Sequence, residues 1–475
     1  MKKVLFLICF FFIASLFANE SVAYEKLSLK DAQEIVKKDN LEINIAKFDK
    51  QVASLGEKIA LGYSFGKLDV QMLGLRSNDA GNVFGFKLQS REATFGDFGF
   101  SEFLSGVGGA IGASGGDFAS FANMMADPKM SGELLNTTPK DLNFPDDRNH
   151  FDFKLTYALP LYTGGKLSYY RDISKKMVKM GELDRQKVEA LKMYEVRKTY
   201  YDISLLYQFE SDLTKIRENI EKLKKSTTLL RDEGYARKTD LLEVEAKLSN
   251  VERMLFSSQT NRDLAYEFLS FLLNAEVKSI KKLPLNVVEH NVTLEDILVK
   301  NRDIQKAKLG LEIQSKMLLV SKASFKPEIG AFAEYGSSDD KFLNDFKEHD
   351  RYTIGVQAKL NILNGGIDSA KIEQEKVKRL KVKKQIELAT KGITLLYDKI
   401  NTEIKNLDKQ IDSIKKEIEL MDEIYLSYQE RYKEGLASIN DVVIKQSLQI
   451  EKLLKLVELQ NSRNEKVSQI FKLAY

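Results

Sequence analysis

The chain has 475 residues, of which 30% are charged; its net charge is +4, and it contains six prolines and no tryptophan. So little proline, with Lys, Glu, Leu and Ile at helical spacing, excludes an ordinary compact α/β enzyme and indicates long, solvated helices. Acids and bases interleave, which leaves no basic face for nucleic acid.

Lys2 and Lys3 precede an apolar run over residues 4–18, followed by the small residues Ser21 and Ala23. This is the layout of a secretory signal peptide over residues 1–23, cut after Ala18 or Ala23. The run is shorter than the ~20 residues a membrane helix needs. The single cysteine, Cys9, lies inside it behind Ile8 rather than a small residue, so no lipid anchor is expected, and the mature chain has no thiol chemistry. No later stretch is apolar enough for a membrane helix.

The remainder reads as one plan written twice, over residues 24–285 and 286–475. A helix is expected over 29–61, a strand over 68–75 and a second strand over 151–161. Here Phe151, Phe153, Leu155 and Tyr157 alternate with Asp152, Lys154 and Thr156. "LPLYTGGKL" (159–167) then carries Pro160 and the pair Gly164-Gly165 into a very long helix. That helix is expected to turn at Gly234 and return. The second copy has a helix over 294–324, strands over 328–335 and 352–362, "LNILNGGID" (360–368) with Gly365-Gly366, a long helix, and a turn at Gly435. Gly365 follows Gly164 by 201 positions (365 − 164), and Gly435 follows Gly234 by the same interval (435 − 234). The first copy alone carries an insert at about 76–149, rich in Gly, Phe, Ser and Asp, which reads as a long loop. It lacks the third glycine of a dinucleotide fingerprint, since Ile111 stands there, and no G-K-[ST] follows.

Leu206, Phe209, Leu213, Ile216, Ile220, Leu223, Thr227 and Leu230 step by threes and fours, and Ile400 to Tyr432 keep the same rhythm. A sustained 3.5-residue period means coiled-coil packing. The helix before the strands and the helix after the turn together nearly equal the long one, so end to end they would run alongside it. Four strands cannot close a barrel, since membrane barrels begin at about eight, and an open edge in lipid leaves backbone groups unpaired. If the strands cross a membrane, several chains contribute. A three-fold ring of two-repeat chains supplies twelve strands, with the apolar strand face to lipid and the Asp152/Lys154/Thr156 face to water.

The duplicated plan, the "LPLYTGGKL" and "LNILNGGID" junctions, and the turns "EGYARKTDLLE" and "EGLASINDVVI" resemble the TolC-like outer membrane efflux protein family over nearly the whole mature chain. The resemblance implies a mainly α fold with β: a long α-helical coiled-coil barrel, plus four β-strands per chain in a shared twelve-stranded trimeric outer-membrane β-barrel. It implies a Gram-negative outer membrane protein extending into the periplasm. Its partners would be two further copies, outer-membrane lipid, a periplasmic adaptor and an inner-membrane transporter. Its role would be the exit duct of a tripartite efflux or type I secretion system, with no enzyme activity, cofactor or nucleic acid. The glycine pairs would mark where barrel strands bend into tunnel helices, and the insert would lie at the cell exterior. The other readings are a periplasmic adaptor, which has one helical hairpin where this chain has two, and a trimeric surface adhesin, whose barrel strands gather at the C-terminus.

Gly234 and Gly435 suit left-handed helix ends, and Ser438 with Asp441 has the spacing of a capping box. By resemblance Asp441, and Asp240 at the matching place, also ring the periplasmic entrance and take part in gating. Tyr432 is retained near the tip, at a heptad position that suits the core. Arg237 stands where Ser438 would match, and Ala437 and Ile444 replace an arginine and a second acid of some family members, so the gating network is only partly present. The histidines His150, His290 and His349 belong to no catalytic or metal motif; His150 and His349 fall just before strands, where a shared metal site is a minor alternative.

Overall fold

The computed structural model describes residues 23–283 and 292–474. The expected signal peptide therefore lies outside the described residues except for Ala23, which pairs in parallel with Glu276. The expected boundary between the repeats, near 285, and His290 also lie outside them. The chain divides into two units, a helical one (Met1–Gly56, Ile173–Ser315, Lys376–Tyr475) and a sheet-bearing one (Glu57–Asp172, Lys316–Glu375).

The repeat is exact in the long and the returning helices. Helix α8 (Lys166–Asp232) and helix α12 (Ile367–Lys433) both have 67 residues, about 100 Å at 1.5 Å per residue. Their returning partners, α9 (Lys238–Leu273) and α13 (Ile439–Ala474), both have 36. All four starts and ends are offset by 201 (for example 367 − 166). The heptad positions read from the sequence are the core of the helical unit. Phe209, Leu213, Ile216, Ile220 and Leu223 pack with Val244, Val251 and Leu255, and with Tyr425, Tyr432, Ile439, Val442 and Ile450, so four helices share one apolar seam.

Each helix expected before the strands is in fact two. In the first repeat α1 (Leu29–Asp39) stops at Asn40 and α2 (Leu41–Gly62) begins. In the second, α10 (Leu294–Lys300) stops at Asn301 and α11 (Arg302–Lys322) begins. Asn40 and Asn301 have extended ψ of 128° and 121°. Each asparagine caps its second helix, accepting from Ile43 N or Ile304 N at 3.0 Å. Each also donates to the last turn of the returning helix, to Leu272 O at 2.8 Å and Leu473 O at 2.9 Å. The two acceptors again lie 201 apart (473 − 272). The asparagine thus joins the end of the returning helix to the start of the next, which is how two shorter helices run on end to end.

In the sheet-bearing unit, β1 (Lys67–Ser77), β2 (Arg148–Thr163), β3 (Glu328–Asp339) and β4 (Asp350–Lys359) form an antiparallel meander in chain order. All four strands foreseen are present. The pairing of β2 with β3 joins the two repeats, with Leu155 opposite Tyr335 and Thr156 opposite Glu334. The stretch expected as a long loop is instead largely helical, with α3 (Ala80–Gln89), α4 (Phe100–Ala113), α5 (Phe118–Ala126), α6 (Pro128–Leu135) and α7 (Lys140–Asn143). Three of its aspartates are caps of α-helices. Asp79 accepts from Asn82 N at 3.0 Å, Asp117 from Ser120 N at 2.8 Å, and Asp127, before Pro128, from Lys129 N at 2.9 Å. One glycine of α4 serves packing as well, since a Cβ on Gly106 would stand 2.5 Å from the Leu134 side chain.

Candidate functional site

At both helical turns the last turn of the long helix ends in a left-handed glycine, with φ 86° at Gly234 and 73° at Gly435. Tyr235 N bonds back to Leu230 O, and Leu436 N to Arg431 O, each at 2.7 Å, the six-to-one closure of a Schellman motif. The returning helices start differently. Asp441 Oδ2 accepts from Ser438 Oγ at 2.6 Å and Ser438 N at 3.1 Å, while Asp441 N donates to Ser438 Oγ at 3.2 Å, so the capping box is complete. The Ser438 hydroxyl and backbone hold the Asp441 carboxyl below its ordinary range, so it is ionised at neutral pH. In the first repeat Asp240 Oδ2 accepts from Arg237 N at 2.9 Å, but no hydroxyl completes the box. Tyr432 is core, 7% exposed, with its hydroxyl 3.4 Å from Thr227 Oγ1. Burial pushes its phenol upward, and Asp240 adds to the shift.

The core of the turn region also contains polar groups that sequence reading passed over. Gln446 and Gln449 are buried, Gln446 donates to Gln449, and Gln449 donates to Asp422 at 2.5 Å. Lys247 crosses from α9 to Ser447 at 2.7 Å. The signal was available: after Ile439 and Val442, the next steps of four and three fall on glutamines where a heptad would place leucines. A polar residue at such a position specifies register at some cost in stability.

At the strand-to-helix junctions Gly164, Gly165, Gly365 and Gly366 have φ of 65°, 89°, 63° and 81°. Two successive left-handed residues turn the backbone out of a strand at an angle that side-chain-bearing residues avoid. In the first repeat space is limiting too, because a Cβ on Gly164 would lie 2.9 Å from Ala323 O; around Gly365 there is open space. Pro160 sits at a register shift of the β2–β3 ladder and beyond the last β1 pair, at Ala158, so its missing N–H interrupts neither ladder.

The sheet has two unlike faces. Leu68, Val70 and Met72 pair with Tyr157, Leu155 and Phe153, and that row continues through Ala333 and Tyr335 to Ile354 and Tyr352. On the opposite face Asp69, Thr156, Glu334 and Thr353 form one row, and Gln71, Lys154 and Arg351 another. The apolar side chains at the edges stay exposed, with Leu68 at 63%, Tyr352 at 77% and Ile354 at 75%. His150 and His349 do not come together. His150 stacks on Phe86 at 4.1 Å, and His349 lies 3.2 Å from Asp339. Among the described residues no helix is long and apolar enough to cross a membrane.

Residues 293–474, the second repeat, match the model of the family described as outer membrane efflux protein. The first repeat reproduces its long and returning helices residue for residue in length. What matches the outer membrane efflux protein family is the second repeat, residues 293–474. The fold of the chain is that of solved channels over nearly its whole length. The CmeC outer membrane channel of Campylobacter jejuni is 14% identical with a TM-score of 0.68, over 96% of this chain and 90% of that one. VceC of Vibrio cholerae is 13% identical with a TM-score of 0.70, over 94% and 96%. The open state of the MtrE channel of Neisseria gonorrhoeae is 14% identical with a TM-score of 0.70, over 94% and 88%. No curated protein is similar enough in sequence to match. The family that this repeat matches is one of outer membrane efflux proteins, and the solved structures of like fold include outer membrane channels.

Proposed function

We propose that this chain is an outer membrane efflux protein and that three copies of it join into one exit duct, with a twelve-stranded barrel in the outer membrane and the long helices forming a tunnel through the periplasm. The observation that carries the reading is the sheet: four strands with two open edges, β1 and β4, and one continuous apolar face. In lipid an open edge leaves backbone N–H and C=O groups with no partner, which is costly enough that membrane sheets close on themselves. Three such sheets edge to edge close at twelve strands, an even number within the range of membrane barrels. The apolar row then faces lipid and the Asp69/Thr156/Glu334/Thr353 row faces water.

A second feature supports assembly. Along α2 the residues Leu41, Ile45, Phe48, Val52, Leu55 and Ile59 step by fours and threes and are all more than half exposed. That is a coiled-coil seam without a partner among the described residues, as expected where a neighbouring copy packs. The tip turns form the periplasmic entrance, where three copies of ionised Asp441, with Asp240 nearby in sequence plan, disfavour anions. A periplasmic adaptor and an inner-membrane transporter complete the pathway, and the transporter supplies the energy, since the chain has no nucleotide-binding motif. Residues 1–23, read as a signal peptide, direct export.

The test is conductance of the detergent-purified mature protein in planar lipid bilayers, beside Asp441→Ala. Discrete cation-preferring channels, with the preference weakened in the variant, are expected. Folded and inserted protein that conducts under no condition, including with the tip turns loosened by mutation, overturns the duct.

A further inference from the structure

Besides an ion pair of Arg91 with Asp350, three contacts tie the helical insert to the end of the sheet. His150 of β2 stacks on Phe86 of α3, and Arg148 binds Glu92 and, at 3.2 Å, Ser90. The third contact has the chemistry of a metal site. Asp339, the last residue of β3, is 4% exposed. His349, at the far end of the β3–β4 connection, brings Nδ1 to 3.2 Å from Asp339 Oδ2. Glu92, just beyond α3, contributes a carboxylate oxygen, and one donor atom from each of the three residues lies within 4.8 Å of the other two. They come from three separate segments of chain.

An ion pair alone explains this arrangement poorly. Among the described residues the buried His349 Nδ1 atom finds no hydrogen-bond partner, although Asp339 Oδ2 is close enough to accept one. Nitrogen and oxygen are near each other but not directed at each other. Two ligands of one zinc ion stand in this relation, because donors at ~2.0–2.1 Å from a tetrahedral centre lie roughly 3.3 Å apart. Charge points the same way. The carboxylates of Asp339 and Glu92 gather at one place, where a cation ordinarily stands between such groups. Arg148 is the guanidinium bound to Glu92. Arg91 is engaged with Asp350 at 3.8 Å.

We propose that Glu92, Asp339 and His349 bind a divalent transition-metal ion, zinc by the donor set, which fastens the helical insert to the β3–β4 connection. An imidazole nitrogen with carboxylates suits zinc, whereas calcium and magnesium take oxygen donors. Glu92 completes the set by turning from Arg148 toward the ion. Asp339 is already oriented, since Lys341 N donates to its Oδ1 at 3.2 Å and Asn344 Nδ2 to its Oδ2 at 3.3 Å. Backing of this kind fixes a ligand before metal arrives. The site lies within one chain, so the inference does not depend on the assembly proposed above.

The experiment is titration calorimetry of the full-length protein in detergent after dialysis against EDTA, with ZnCl2 and with CaCl2. One zinc per chain is expected, with calcium at least tenfold weaker. His349→Ala and Glu92→Gln should each weaken zinc binding by ~10- to 100-fold, the range for disturbing a metal site, with helix content by circular dichroism unchanged. Hydrogen exchange of residues 80–92 and 340–349 should slow on adding zinc in the wild type and not in His349→Ala. Absence of zinc binding by folded wild-type protein overturns the proposal. So does binding that both variants retain in full, which would place the ion elsewhere, and so does calcium binding that equals or exceeds that of zinc.

Discussion

Replacing Asn40 by alanine should loosen one defined joint of the helical unit. The side chain is 3% exposed and makes two bonds, accepting from Ile43 N at 3.0 Å and donating to Leu272 O at 2.8 Å. Loss of a helix cap costs about 1 kcal/mol, and a buried carbonyl left without a donor costs ~1–3 kcal/mol. The sum, about 2–4 kcal/mol, corresponds to a ~30- to 1,000-fold increase in local opening at ~1.4 kcal/mol per factor of ten. Native-state hydrogen exchange is the suitable assay, because it reads local opening without requiring a large membrane protein to refold reversibly. Amides over residues 41–47 should lose protection by that factor, and those near the tip, at residues 216–223, should not change. Asn40→Ser restores an acceptor at the cap but cannot reach Leu272, so it should recover about 1 kcal/mol. A change below about threefold at residues 41–47 would refute the view that this asparagine carries the joint. Asn301→Ala should repeat the result in the second repeat, through Ile304 and Leu473.

Gly164→Ala should reduce the yield of assembled protein in outer-membrane fractions more than Gly365→Ala. Both pay left-handed strain of roughly 1–2 kcal/mol, but only Gly164 also meets Ala323 O at 2.9 Å; equal yields would refute the close approach. On β4, Ile354→Arg should cost about 2–4 kcal/mol at mid-bilayer and abolish insertion. Its neighbour Thr353→Arg should insert and shift the conductance toward anions, and the reverse order would invert the assignment of the faces. Within the insert, burial opposes ionisation of Asp97, yet Lys87 and Thr94 hold its carboxyl at about 2, below the ordinary 3.8. A lowered folded value means that stability is full above ~4 and is lost as pH falls toward 2. Pepsin should therefore cut residues 80–98 faster at pH 2 than at pH 4 in the wild type, and already fast at pH 4 in Asp97→Asn. Resistance of that variant at pH 4 would refute the coupling.

What the sequence determined by itself was whatever repeats locally. The threes and fours from Leu206 to Leu230, the alternation from Phe151 to Tyr157, and the glycine pairs 201 positions apart are read from neighbours along the chain, and they yielded the long helices, the strands and both turns. Ser438 and Asp441 were legible for the same reason, since a capping box spans three residues. What only tertiary structure decided lies between residues far apart in sequence. Nothing local to Asn40 says that Leu272 will present it a carbonyl 232 positions away, so each pair of short helices looked like one. The insert misled because glycine and aspartate are ordinarily loop residues, whereas here Asp79, Asp117 and Asp127 cap helices and Gly106 admits Leu134. Glu92, Asp339 and His349 have no common motif and meet only because the β2–β3 ladder and the fold of the insert bring three segments to one place. Periodicity is a property of a segment, but the partner of a buried polar group is set by which surfaces remain once the segments have packed.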